Sequence, residues 1–150
     1  MPVLILLFLF CTIGNLSAQE KITHLQYGKV SIAIPEDCST ESAYGLSNCK
    51  GFSVQWLYLS EEMVEQGVQV EFAKQARTQL DFTQKKSIKF TSQGQLFKGD
   101  IYLLANGATR IIAFGRITGM PLLLNLGFDK EPKTNADFSD FEKNFIVLKQ

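Results

Sequence analysis

Residues Lys98 to Phe128 read KGDIYLLANGATRIIAFGRITGMPLLLNLGF, three apolar runs broken by Asn106-Gly107 and Thr118-Gly119. The runs are short, rich in β-branched and aromatic residues, and punctuated by glycine, which suits strands far better than helices. They predict a three-stranded antiparallel meander that floors the core. Ile101–Ala105 and Ala108–Ala113 flank Asn106-Gly107. This pair predicts a type I′ turn, because both central positions of that turn need positive φ. The second break separates Arg110–Ile117 from Leu122–Phe128. This stretch constrains the fold class and carries no chemistry of its own.

The remaining elements follow from periodicity. Tyr27–Ile34 alternates, with Val30, Ile32 and Ile34 on one face, and Pro35 ends it. In Phe52–Leu59, Phe52, Val54, Trp56 and Tyr58 share a face, with Ser53, Gln55, Leu57 and Leu59 opposite. Ser60 is a helix cap, and Glu61 and Glu62 suit the first turn. Val64, Val68, Phe72, Ala76 and Leu80 then predict an amphipathic helix over Glu61–Leu80, although Gly67 and the alternation from Val68 to Phe72 pull toward a strand. Ser87–Ser92 and Leu96–Leu104 read as strands, and Pro121 suits the first residue of an edge strand. Phe138, Phe141, Phe145 and Leu148 predict a closing helix from Ala136 to Leu148, capped by Asn135. The expected class is α+β, an antiparallel sheet of about five to six strands with two amphipathic helices packed on it. The expected order is β-β-α-β-β-β-β-α.

Val3 to Ile13 is almost wholly apolar, and Leu16-Ser17-Ala18 supplies small residues for cleavage. Residues 1–18 therefore read as a signal peptide cut after Ala18, leaving one α+β domain over 19–150 and a secreted or periplasmic product. The run is shorter than the ~20 residues a membrane span needs. Its n-region, Met1-Pro2, lacks Lys and Arg, and a buried first strand or an uncleaved anchor is the rival reading. Cys11 would leave with the signal. Cys38 and Cys49 then remain, and in an exported chain two such cysteines predict one disulfide. Closing so short a loop contributes roughly 2–3 kcal/mol in the chain-entropy model. A redox or metal pair would call for closer spacing and further ligands.

Fifteen basic and fifteen acidic residues cancel, so no basic excess marks a nucleic-acid binder. His24 is the only histidine and has no nucleophile signature beside it. Zinc lacks ligands, and no cofactor, metal or catalytic residue is assigned. Glu61, Glu62 and Glu65 could hold calcium, but a helix start explains the first two more simply. Asp129, Glu131, Asp137 and Asp140 leave calcium open, without EF-hand spacing. Gly107, Gly115 and Gly119 match no phosphate loop. Lys85-Lys86 and Lys89 read as a solvated strand entry. Arg110 and Arg116 project from one face of a strand with Ile112 and Phe114 between them. Arg110, Phe114 and Arg116 are the ligand or partner candidates, since guanidinium groups beside an aromatic ring suit an anion. The plainer reading has them rimming a buried apolar centre.

The element order, the opening run KVSIAIP (29–35) and the closing run DFEKNFIVLK (140–149) resemble the PsbP-like group of lumenal photosystem subunits and secreted bacterial proteins. The loop cysteines lie outside that pattern, and no site motif matches. The resemblance implies a non-catalytic accessory or binding domain, acting on a protein or a small ligand. Two alternatives stand beside it: an exported toxin-neutralising or inhibitor protein, and a hydrolase using paired carboxylates across a cleft. Export predicts a secreted product that begins at Gln19 and is two hydrogens lighter than its reduced mass. Intact-mass spectrometry checks both, and a full-length mass with free thiols contradicts them.

Overall fold

A computed structural model describes residues 20–149, so the signal-peptide reading of residues 1–18 and Cys11 lies outside the described residues. Its strands are β1 (His24–Tyr27), β2 (Val30–Ala33), β3 (Gly45–Cys49), β4 (Phe52–Tyr58), β5 (Phe82–Ser92), β6 (Gln95–Leu104), β7 (Thr109–Ile117), β8 (Met120–Phe128) and β9 (Val147–Leu148). Two short helices, α1 (Glu61–Glu65) and α2 (Val68–Gln79), connect β4 to β5. β1 and β2 form a separate hairpin, and the rest build one curled antiparallel sheet ordered β3-β4-β8-β7-β6-β5-β9. The three apolar runs of residues 98–128 are consecutive neighbours in it, as β6, β7 and β8.

The α+β expectation of two helices packed on five to six strands is corrected on several counts. The protein is mostly β. The helix expected over Glu61–Leu80 breaks at Gly67, whose φ of 77° lies in the left-handed region. Ser60 does cap α1, accepting from the Met63 N–H at 3.1 Å. The closing helix is absent. In its place stand two single 3-10 turns, Asn135–Asp137 and Glu142–Asn144, and then β9. Side chains there take the backbone groups a helix would need. Asp137 accepts from the Lys133 and Thr134 N–H groups, Asn144 donates to the Asp140 and Phe141 carbonyls, and Asn135 bonds both backbone groups of Leu148. β3 occupies part of the stretch read as a loop, and the Tyr27–Ile34 strand is in fact the turn and second arm of the β1–β2 hairpin.

Turn chemistry also departs from expectation. Thr118-Gly119, Gln93-Gly94 and Lys50-Gly51 each have positive φ at both residues and join strands paired immediately outside them. At Asn106-Gly107 only the glycine is left-handed, and the loop runs from Ala105 to Ala108. The Asn106 side chain accepts from the Ala108 N–H at 3.0 Å, which holds this longer turn. Pro121 lies on a central strand, not an edge, just past the last β4 pair, Tyr58 and Leu122. Its carbonyl accepts from Leu59 N–H at 2.9 Å.

The core sits on one face of the sheet. Phe52, Val54 and Trp56 of β4 join Leu122, Leu124, Leu126 and Phe128 of β8 and Ile111, Ala113 and Ile117 of β7. The β1–β2 hairpin brings Tyr27, and the C-terminal turns bring Phe138, Phe141 and Phe145. Fully buried Phe145 packs against Tyr27, Phe52, Trp56 and Phe141 with ring centroids 5.0 to 6.0 Å apart. The Tyr27 hydroxyl bonds Ser92 at 2.8 Å, and Tyr58 accepts from Gly28 N–H at 2.8 Å, which ties the hairpin down. The Cys38–Cys49 disulfide, with Cα atoms 5.2 Å apart, joins the loop after β2 to the end of β3.

Because Phe145 is shared by four aromatic neighbours, Phe145→Ala is expected to lower the unfolding free energy by about 3–5 kcal/mol in urea titrations. Leu96→Ala, at an exposed strand position, is the control and stays within about 0.5 kcal/mol.

Candidate functional site

The opposite face of the sheet is only partly covered. Strand register sets its floor, because residues paired across adjacent strands point the same way. Three rows cross β4, β8 and β7: Ser53–Gly127–Arg110, Gln55–Asn125–Ile112 and Leu57–Leu123–Phe114. α2 lies over one end of this floor. It seals a small second core in which Phe72, Ala76 and Leu80 meet Tyr102, Ile112, Phe82 and Leu104. Only Ala76 of α2 is buried, so the helix stands on the sheet along a narrow contact.

Beside that contact the surface is hollow. A cavity of about 1000 Å³ opens between Phe72 of α2, the β3 edge and the β4–β8 floor. That is the size range of small-molecule sites. Its apolar lining includes Tyr44, Leu57, Phe72 and Leu123, with Trp56 and Leu46 bordering it and Gln55, Asn125 and Thr40 among the polar groups. Tyr44 and Leu57 are 55% and 49% exposed, while Trp56 is buried and packs edge-on to Tyr44. The Trp56 indole Nε1–H has no hydrogen-bond partner among the described residues. A buried donor left this way costs desolvation free energy. Gln55, Phe72 and Asn125 also line a neighbouring hollow of about 270 Å³ beneath α2, where Arg110 lies.

The three candidate residues meet different fates. Arg110, Phe114 and Arg116 do share a face of β7, and all stand on the helix side. Arg116 is engaged by Glu61, its two guanidinium nitrogens donating to the two carboxylate oxygens at 2.5 and 2.9 Å. It also donates to the Gly119 carbonyl at 3.3 Å, so it pins the start of α1 to the β7–β8 turn. Phe114 is half-buried in the Leu57–Leu123 row. Of the three, Arg110 alone lines a hollow, the one beneath α2 among them. Its Nη1 donates to the Asn125 side-chain oxygen at 3.3 Å and reaches Ser53 Oγ at 3.5 Å.

The other sequence candidates lie elsewhere. His24 is exposed and bonds the Thr23 hydroxyl. Lys85 pairs with Asp100 at 3.5 Å and Lys86 with Glu131 at 3.7 Å. Asp129, Glu131, Asp137 and Asp140 do not converge. Glu131 takes Lys133 and Lys86, Asp137 takes backbone N–H groups, and Asp140 takes Lys143. Among the described residues no group of three metal-ligating side chains comes together. The pattern reading missed Tyr44, Gln55 and Asn125 as lining. Asn125 carried a usable signal, as the single polar side chain in Leu122–Phe128. No family model matches the sequence, and no curated protein matches it either.

The hydrogen bond from Arg116 holds the Glu61 carboxyl below the usual carboxylate range. A depressed folded-state value means that the pair stabilises the fold above the unfolded glutamate value of about 4.3. The contribution is lost as pH falls through the depressed value. Glu61→Gln is therefore expected to melt below the wild type at neutral pH, with the gap closing on acidification and in high salt. Thermal unfolding across a pH series checks this, and a gap that persists in acid contradicts it.

Proposed function

We propose that this protein is an exported, non-catalytic binding domain whose ligand is a small organic molecule seated in the groove between α2 and the β3–β4–β8 floor. The observation that carries this reading is the open cavity of about 1000 Å³ between α2, the β3 edge and the β4–β8 floor. Exposed Tyr44 and Leu57 and the carboxamides of Gln55 and Asn125 supply both apolar contact and hydrogen bonds. Export is supported by the Cys38–Cys49 disulfide, which belongs in an oxidising compartment, and by the residues 1–18 pattern. Among the described residues no helix is long and apolar enough to cross a membrane. The PsbP-like resemblance belongs to the same proposal, as an accessory or binding role.

The competing readings ask for other surfaces. A carboxylate-dependent hydrolase needs two acids across one cleft, whereas Glu41 is the one acid lining the large cavity. A toxin-neutralising or inhibitor role calls for a contiguous apolar patch. Among the exposed apolar side chains, Val30, Val70 and Met120 belong to separate elements, Leu96 and Val147 stand on either side of Thr91, and Tyr44 and Leu57 flank the groove.

Trp56 is the only tryptophan and borders the cavity, so its emission reports a change there. A panel of small organic acids, amides, sugars and amino acids is expected to contain members that shift this emission and add mass in native spectra. Leu57→Arg, at an exposed groove position, is expected to weaken them by about tenfold or more. A panel in which no compound shifts the emission or the mass overturns the groove.

A further inference from the structure

The hollow beneath α2 has an unusual charge balance. Four carboxamides border it: Gln55 and Asn125 from the sheet and Gln75 and Gln79 from α2. Arg110 is its one charged residue, and no carboxylate lines it. No acid of the described residues lies within ion-pair distance of Arg110, whereas Arg116 on the same strand is held by Glu61. Both hydrogen bonds of Arg110 run from Nη1 to neutral oxygens, those of Ser53 and Asn125. The guanidinium carries five N–H donors in a planar fork, so most of its capacity is unspent.

The backbone is shaped around this group. Gly127 lies between Ser53 and Arg110 in the cross-strand row. A Cβ there would fall 2.3 Å from Ser53 Oγ and 3.2 Å from Arg110 Nη1. The missing side chain leaves the bed in which the guanidinium lies beside Ser53. On its other side Arg110 borders a second hollow of about 450 Å³. Lys50 and Asp129 line that hollow, so charge there is mixed, and the acid-free side is the one facing α2.

We propose that Arg110 is the anion anchor of the groove and that the ligand is a small organic carboxylate, its acid group under α2 and its apolar body over Phe72 toward Leu57 and Leu123. This rests on the groove being the binding site. A guanidinium pairs a carboxylate through two parallel N–H···O bonds, and the surrounding carboxamides can donate to the same oxygens. Gln55, Phe72 and Asn125 line both the hollow and the larger cavity, which sets the two side by side for the acid group and the body of one molecule.

The test uses two probes of one shape, phenylacetate and its neutral amide phenylacetamide, titrated calorimetrically into the full protein. The wild type is expected to bind the carboxylate about tenfold more tightly than the amide, as charge-assisted bonding requires. Arg110→Gln keeps a donor for Ser53 and Asn125 and is expected to abolish the preference. Gln79→Glu, at an exposed helix position, places a carboxylate in the same hollow and is expected to abolish it without touching the sheet. Equal binding of both probes by the wild type overturns the anchor and leaves the groove standing. A preference retained in Gln79→Glu and Arg110→Gln also overturns it. If neither probe binds while other panel members shift Trp56 emission, the anchor fails alone. If the whole panel is silent, the groove fails with it.

Discussion

The β4–β8 pairing is the constraint on which both faces of this protein depend. Seven consecutive pairs run from Phe52 with Phe128 to Tyr58 with Leu122. Side chains alternate with a period of two, so this register sends Phe52, Val54 and Trp56 into the aromatic core and Ser53, Gln55 and Leu57 to the groove. A slip of one residue would bury Ser53 and Gln55 and expose three aromatic or branched side chains. The core therefore locks the groove: whatever holds Trp56 against Phe145 and Tyr27 also holds Gln55 beside Asn125.

The two faces are closed by different means. On the core face the sheet is plugged by segments from both ends of the described chain, the β1–β2 hairpin and the turns around Phe138 and Phe145. On the other face the 12-residue helix α2 touches the sheet through Ala76 and its flanking aromatic and leucine contacts. A continuous helix over 61–80 could not bend at Gly67. The break lets α1 stay at the β7–β8 turn, where Arg116 grips Glu61, while α2 crosses toward β5. The space left between a narrowly seated helix and a wide floor is the hollow in which Arg110 lies.

Much of the sheet was legible because the signal is local. The β4 alternation, the Ser60 cap and the shared face of Arg110, Ile112, Phe114 and Arg116 follow from neighbouring residues alone. The closing segment was not legible for a physical reason. Phe138, Phe141 and Phe145 have helical spacing, yet Asp137, Asn135 and Asn144 bond nearby backbone and hold turns instead. β3 was hidden because its five residues, Gly45 to Cys49, carry little apolar alternation and gain strand geometry only by pairing with β4. The split fates of Arg110 and Arg116 were equally hidden. Whether a guanidinium is free depends on Glu61, which is far away in the chain.

By itself the sequence determined the meander of residues 98–128, the sidedness of β4, β7 and β8, the capped start of α1 and the pair of cysteines that close the Cys38–Cys49 loop. These are properties of spacing and residue type, and a period of two needs no distant partner to be read. The tertiary structure alone decided the strand order β3-β4-β8-β7-β6-β5-β9, the turns that replace a closing helix, and the groove. Each of these rests on contacts between residues far apart in the chain. Closing such contacts costs loop entropy that no local pattern encodes, and only the assembled core offsets it.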